Sequence, residues 1–223
     1  MSADRATAIH EAGHGAMAFM LGRPFKTISV IPDEQTMGRV ESAFPGDWFR
    51  PDITVDGRTR TLIEDRVMIA LAGSETEAAW YARRDDAPAG WEQMVSDGGA
   101  MDRDNAVWLA GYMCGGSVHE LEPYLEWLRQ RVIGIAGRGP GYEAAAGEHE
   151  VIVRRQRLGD DRFWVLTEAL ADAVAESGTL PWRRARAVLR DAQARWLGHA
   201  ASVRVTGGID GAALAAMCSP EWR

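Results

Sequence analysis

The feature that most constrains this 223-residue chain is a helix-forming stretch near its start that carries three ionisable side chains among small ones. From Asp4 to Leu21, apolar or small residues recur at Ile9, Ala12, Gly13, Ala16, Met17 and Met20, which is helical spacing. Ser2 or Asp4 can cap its start, and Gly22 and Pro24 stop it. Inside it lies His10-Glu11-Ala12-Gly13-His14, an H-E-x-x-H pattern. Residues i and i+4 lie one above the other on a helix, so both imidazoles can converge on one tetrahedral Zn2+. Glu11 is rotated by about 100° from His10 and can reach a water on the metal instead of the metal itself. Zinc draws the pKa of that water towards neutrality and polarises a carbonyl, while the carboxylate accepts the proton. The bland alternative is two surface histidines. With five histidines in the chain, chance produces the pattern about once in a hundred such sequences.

A catalytic zinc needs a third protein ligand. The metzincin continuation is excluded, because Met17 and Met20 stand where its glycine and third histidine would be. Glu34 and Glu41 are near but fall in a turn and a strand, while Glu75 and Glu77 fall on a helix and stay open. Asp102 is the better candidate. If 98–114 is a helix capped by Asp97, Asp102 shares an inward stripe with Ala106, Leu109 and Met113. A carboxylate facing inward needs a partner, either a metal or one of the many arginines.

The rest of the chain reads as mostly helical. Residues 26–31 (KTISVI) form a β-branched strand candidate, with 37–42 (MGRVES) as the returning strand. Residues 44–57 read as a loop, whose Trp48 and Phe49 either line a cleft or pin the loop to the core. Helical patterns follow at 59–84, 98–114, 119–133, 163–176 and 181–197, with a loop at 85–96. Leu121, Leu125, Leu128 and Val132 form one stripe, and Pro181 fits a first helical turn. Residues 134–150 are glycine-rich and read as a mobile loop, and about 20 residues at the end read as poorly ordered. The expectation is one peptidase-like domain over 1–223, with a zinc-binding core at 1–116 and a helical part at 117–223.

Composition narrows the function. Hydrophobic residues make up 46% and charged residues 26%, as in soluble globular proteins. A net charge of −7 argues against nucleic-acid binding. No apolar run reaches membrane-span length, and Asp4, Arg5, His10 and Glu11 interrupt any signal-peptide core. Cys114 and Cys218 form no C-x-x-C pair and read as reduced thiols of a cytoplasmic protein. His119, His149 and His199 read as surface residues, and the nine tryptophans as packing anchors.

H-E-A-G-H, then K-T-I-S-V-I-P and a G-R-V strand, resembles the zinc peptidase domain of FtsH-type AAA proteases. A-L-A-G-S-E-T-E-A at 70–78 is similar to that family's L-G-G-R-A-A-E-E segment, with Glu77 on a matching position. G-G-A-M-D-R-D-N-A at 98–106 is similar to its G-A-x-x-D-x-x-x-A segment. Gly99 stands where the family has alanine, and the resemblance puts Asp102 on the third zinc ligand. W-V-L-T-E-A-L-A-D-A-V-A-E-S-G-T-L-P-W-R-R-A-R-A-V-L, at 164–189, is similar to the family's late helices. Met101 and Arg103 depart from the family pattern, and no G-x-x-x-x-G-K-S/T phosphate loop is present.

The resemblance therefore implies an α+β, mostly helical, zincin-like core with a small β-hairpin or sheet and a C-terminal helical bundle, without the ATPase module. It implies zinc on His10, His14 and Asp102, with Glu11 as general base, hydrolysing peptide bonds in flexible polypeptides without ATP. A substrate strand could pair with an edge at 27–31 or 37–42. Two other readings are a zincin-fold binding protein with an unused site, and a peptidase subunit working with a separate ATPase. A homo-oligomer is also left open.

Overall fold

A computed structural model of the chain describes residues 5–34, 36–43, 45–136 and 150–207. The expected cap at Ser2 or Asp4, most of the glycine-rich 134–150 stretch, and everything after 207 lie outside the described residues. The elements are α1 (Arg5–Met20), β1 (Phe25–Ser29), β2 (Arg39–Ser42), α2 (Gly57–Tyr81), α3 (Trp91–Gly98), α4 (Ala100–Met113), α5 (Val118–Ala136), α6 (Glu150–Ser177), β3 (Thr179–Pro181) and α7 (Trp182–Gly207). The described residues thus form a mostly helical α+β structure with one three-stranded antiparallel sheet.

α1 is the central helix. Ala6 and every residue from Ala8 to Ala18 are buried. α2 packs along one side and α6 along another, with β1 beyond its C-terminal end. The small residues make this approach possible. A Cβ on Gly13 would meet Thr76 Oγ1 at 2.5 Å and the Ala72 carbonyl at 2.9 Å, so α1 and α2 touch through a residue without a side chain. Ile9, Met17, Ile28, Leu166 and Leu170 are fully buried and belong to the same core. The stripe on α5 faces it too, with Leu128 and Val132 fully buried.

β1 lies between the other two strands. Ile28 is opposite Val40 of β2 and Leu180 of β3. The edge proposed at 27–31 is therefore occupied on both sides, and the free edges belong to β2 and β3. β3 is a correction to the sequence reading. Pro181 ends a strand opposite Thr27 instead of opening a helix, a place that an edge strand tolerates because proline donates no ladder bond.

The loop expected at 85–96 is also corrected, since α3 occupies its second half. α3 buries only Val95, and Trp91 stacks on Tyr81 at 5.7 Å. Asp97 consequently sits inside α3, bonded by Gln93 at 2.7 Å, and does not cap α4; the N-cap there is Gly99. α2 runs unbroken through Gly73, and Asp56 caps it by accepting from the Thr59 N–H at 2.7 Å. Trp48 lies under the Arg58 guanidinium at 3.6 Å, and Phe49 packs on the core, so the pair pins its loop.

Two glycine substitutions test the close crossing. Gly13→Ala should lower stability by about 1–3 kcal/mol through overpacking, although alanine is the better helix former. Gly111 on α4 has nothing within 4 Å of an added Cβ. Gly111→Ala should instead raise stability by about 0.5–1 kcal/mol. Urea unfolding of both variants gives the two signs.

Candidate metal centre

α1 presents His10 and His14 on one face, towards α2 and α4. His10 Nε2 lies 3.0 Å from Asp102 Oδ2, and His14 Nε2 lies 3.2 Å from the same oxygen. The three ligand atoms fall within 4.8 Å of one another, and together they could hold a metal ion. Tetrahedral zinc with bonds near 2.1 Å sets its ligand atoms about 3.4 Å apart, so this spacing suits a small cation.

The outer ring nitrogens settle which atoms face the centre. His14 Nδ1 donates to the Ile69 carbonyl at 2.6 Å, because a carbonyl can only accept. His10 Nδ1 donates to Glu77 Oε2 at 2.8 Å. In the neutral rings both Nε2 atoms then carry lone pairs, and both point at a carboxylate oxygen. Three electron-rich atoms facing one point repel unless a cation or protons lie between them. The carboxylate–histidine pair and the carbonyl–histidine pair are the usual outer partners of metal-bound imidazoles.

Gly73 of α2 closes the floor. A Cβ there would stand 2.3 Å from His14 Nε2 and 2.6 Å from His10 Nε2, filling the point on which both rings converge. Glu11 lies beside this centre and is 5% exposed. Its Oε2 is buried with no protein hydrogen-bond partner. Gly38, just before β2, comes down on it: a Cβ at Gly38 would meet Glu11 Oε1 at 2.9 Å.

The charges are strongly coupled. Burial pulls His10 down, but hydrogen bonds to Asp102 and Glu77 and the charge of Glu11 outweigh it, and its pKa rises to about 10. His14 is also raised, with burial opposing and Asp102 prevailing. Burial pushes Asp102 up, yet the two histidines hold it well below the usual carboxylate range. Glu11 is raised by burial, against the pull of His14 and His10.

The other sequence candidates fall elsewhere. Glu75 pairs with Arg129 of α5, and Glu41 pairs with Lys26 at 2.6 Å on the sheet surface. Glu34 and His119 are exposed. His149 is outside the described residues, as is the side chain of His199. The sequence reading assigned no role to the Ile69 carbonyl, Gly73 or Gly38, and left Glu77 undecided. Only the fold brings these groups together, although the helical spacing of 69, 73 and 77 puts them on one face of α2.

A cleft of about 710 Å³ opens over the centre, between β2 on one side and α3 and α4 on the other. Met37, Met94, Met101 and Trp108 line it, each more than half exposed. Among the described residues no helix is long and apolar enough to cross a membrane. No protein-family model and no curated protein matches the chain.

Two measurements probe the centre. His10 is raised from 6.5 to about 10 in the metal-free protein. The stability it contributes is therefore complete below pH 6.5 and lost as pH rises towards 10. Melting temperature of metal-free protein should fall across pH 6.5–9, and a saturating divalent cation should flatten that fall by replacing the protons. Glu77→Gln should weaken divalent-cation affinity about 10–100-fold. Glu75→Gln should leave it unchanged, and a competition titration with a chromophoric chelator compares the two.

Proposed function

We propose that this chain is a zinc metallopeptidase, with His10, His14 and Asp102 holding the metal and Glu11 acting as general base. The observation that carries this reading is the convergence of both Nε2 atoms on Asp102 Oδ2, next to a buried glutamate oxygen that no protein group satisfies. A site serving structure alone has no use for an unpartnered carboxylate oxygen beside it. The resemblance of H-E-A-G-H and of the 98–106 segment to FtsH-type peptidase domains points the same way.

When bound, zinc supplies a Lewis acid that makes water nucleophilic near neutral pH and draws charge from a carbonyl. Glu77 and the Ile69 carbonyl hold the two imidazoles in the ring orientation that leaves Nε2 inward. Glu11 takes the proton of the attacking water and returns it to the leaving amine. Its burial raises its pKa towards the working range of such a base.

The cleft favours an extended polypeptide as substrate. β2 borders it with Arg39, Val40 and Ser42, next to Gly38 just before the strand, and no strand among the described residues pairs with its outer edge. A substrate strand can add there, fixing its backbone across the centre. The exposed methionines and Trp108 offer apolar contact to its side chains. Only a chain free to extend can do this, so flexible segments and peptides are the proposed substrates.

The test compares zinc-loaded wild type with Glu11→Gln on an unstructured casein substrate. Glu11→Gln should retain about one zinc per chain and lose cleavage by about 10²–10⁴-fold. A chelator should silence the wild type. Cleavage by Glu11→Gln at the parent rate, or none by the zinc-loaded parent, would refute the assignment.

A further inference from the structure

The cleft holds a second feature that the proposed hydrolysis does not use. Two arginines line it, Arg39 and Arg66. Arg39 is committed to Asp33 at 2.8 Å. Arg66, on α2, is half-buried and has no carboxylate partner among the described residues. Its contacts are the Ala43 carbonyl, to which it donates at 2.9 Å, and the Phe49 ring, whose centroid lies 5.5 Å away.

An arginine this far from water normally faces an anion, because a half-buried charge without one is costly. Burial and the nearby Arg23 both work against the charged form, with no acidic group to offset them. Anchoring the 43–49 loop does not account for the charge, since a tether needs one neutral donor. Arg66 uses one of its five N–H donors on Ala43, and its side chain lines the cleft. Apart from Arg39 of β2, the other ionisable groups lining the cleft are Glu11, Glu77, Tyr81, Asp97 and Asp102 with the two histidines, so Arg66 is the arginine of the cleft that has no anionic partner among the described residues.

Arg66 shares one face of α2 with Ile69, Ala70, Gly73 and Glu77. It stands two turns before Gly73, about 10 Å along the axis. That span is about three residues of an extended chain. The Ala43 bond places it at the Ser42 end of β2, where a strand added to that edge would pass.

We infer that Arg66 forms a subsite that takes a carboxylate of the bound polypeptide, about three residues from the reacting bond. The inference rests on the reading that a polypeptide occupies the cleft. The guanidinium fork matches a carboxylate bidentately, so either an Asp or Glu side chain or a free C-terminus supplies the group. Chains carrying that carboxylate are selected although the protein itself carries a net charge of −7.

The test measures binding, so that it does not depend on turnover. Zinc-loaded Glu11→Gln protein is titrated with fluorescein-labelled octapeptide pools by anisotropy. One pool carries Glu at varied positions with an amidated end. The second carries Gln in place of Glu, amidated, and the third is the Gln pool with a free carboxylate end. The Glu pool or the free-acid pool should bind at least five-fold more tightly than the amidated Gln pool, and which of them does so names the source. Adding Arg66→Gln should cut that ratio below two-fold. Arg66→Lys, which keeps the charge, should retain part of it and shows that the loop anchor still folds. Equal binding of all three pools, absence of binding, or a preference that survives Arg66→Gln would overturn the subsite. A preference without casein cleavage by the Glu11-intact protein would leave the subsite standing and remove the peptidase reading; cleavage without a preference would do the reverse.

Discussion

The structure depends on a helix that has no solvent face. From Ala8 to Ala18 every residue of α1 is buried, and three of them are ionisable. Groups of that kind cannot be left alone in a core, so their neighbours are fixed by what they require. His10 takes Glu77 and Asp102, and His14 takes the Ile69 carbonyl and Asp102. Those requirements bring α2 against α1, and bring the Asp102 carboxylate of α4, a helix that packs on α2, within reach of both histidines. The small residues of α1 and α2 let this happen, since neither Gly13 nor Gly73 leaves room for a Cβ. The burial that gives the helix its place in the fold also concentrates three electron-rich atoms at one point.

Much of this was legible because it is local. H-E-x-x-H on a helical stripe needs only a spacing of four, and α1 ends where Gly22 and Pro24 stop it. The inward position of Asp102 followed from Ala106 and Leu109 on the same stripe, both of which are buried. What escaped is set by distant contacts or by very short elements. α3 buries a single residue, too few for a pattern, and so Asp97 was given a capping role that belongs to Gly99. β3 has three residues, one of them a proline, and it is a strand only because β1 lies beside it. Glu77 is 67 positions from His10, and its spacing on α2 says which face it shares without saying what that face meets.

The cleft divides its labour along α2. The end near Gly73 and Glu77 gathers the acidic groups that hold the histidines, and the end near Arg66 carries an uncompensated cation. β2 runs along the opposite wall, its outer edge free of strands among the described residues. Backbone pairing along that edge is indifferent to sequence, and the apolar rim of methionines and Trp108 adapts to many side chains. On the proposed peptidase reading, such a surface would accept extended chains of many sequences. On the same reading, discrimination would come from a fixed charge, and Arg66 is the arginine of the cleft without a carboxylate partner among the described residues.

The departures from the FtsH-type pattern are informative about where the fold is constrained. Residue 99 is glycine where that family has alanine, and Ser74 shows why here: a Cβ on residue 99 would lie 2.0 Å from Ser74 Oγ. α2 and α4 therefore meet through Gly99 more closely than an alanine would allow, a few residues before Asp102 reaches the histidines. Met101, also a departure, projects into the cleft and is 53% exposed, and Arg103 turns away to bond the Ser96 carbonyl of α3. With these flanking contacts in place, the Asp102 carboxylate lies 3.0 Å from His10 Nε2 and 3.2 Å from His14 Nε2. The geometry of the centre is held by α1, Gly73 and the outer hydrogen bonds, together with the close approach of α4 to α2 at Gly99.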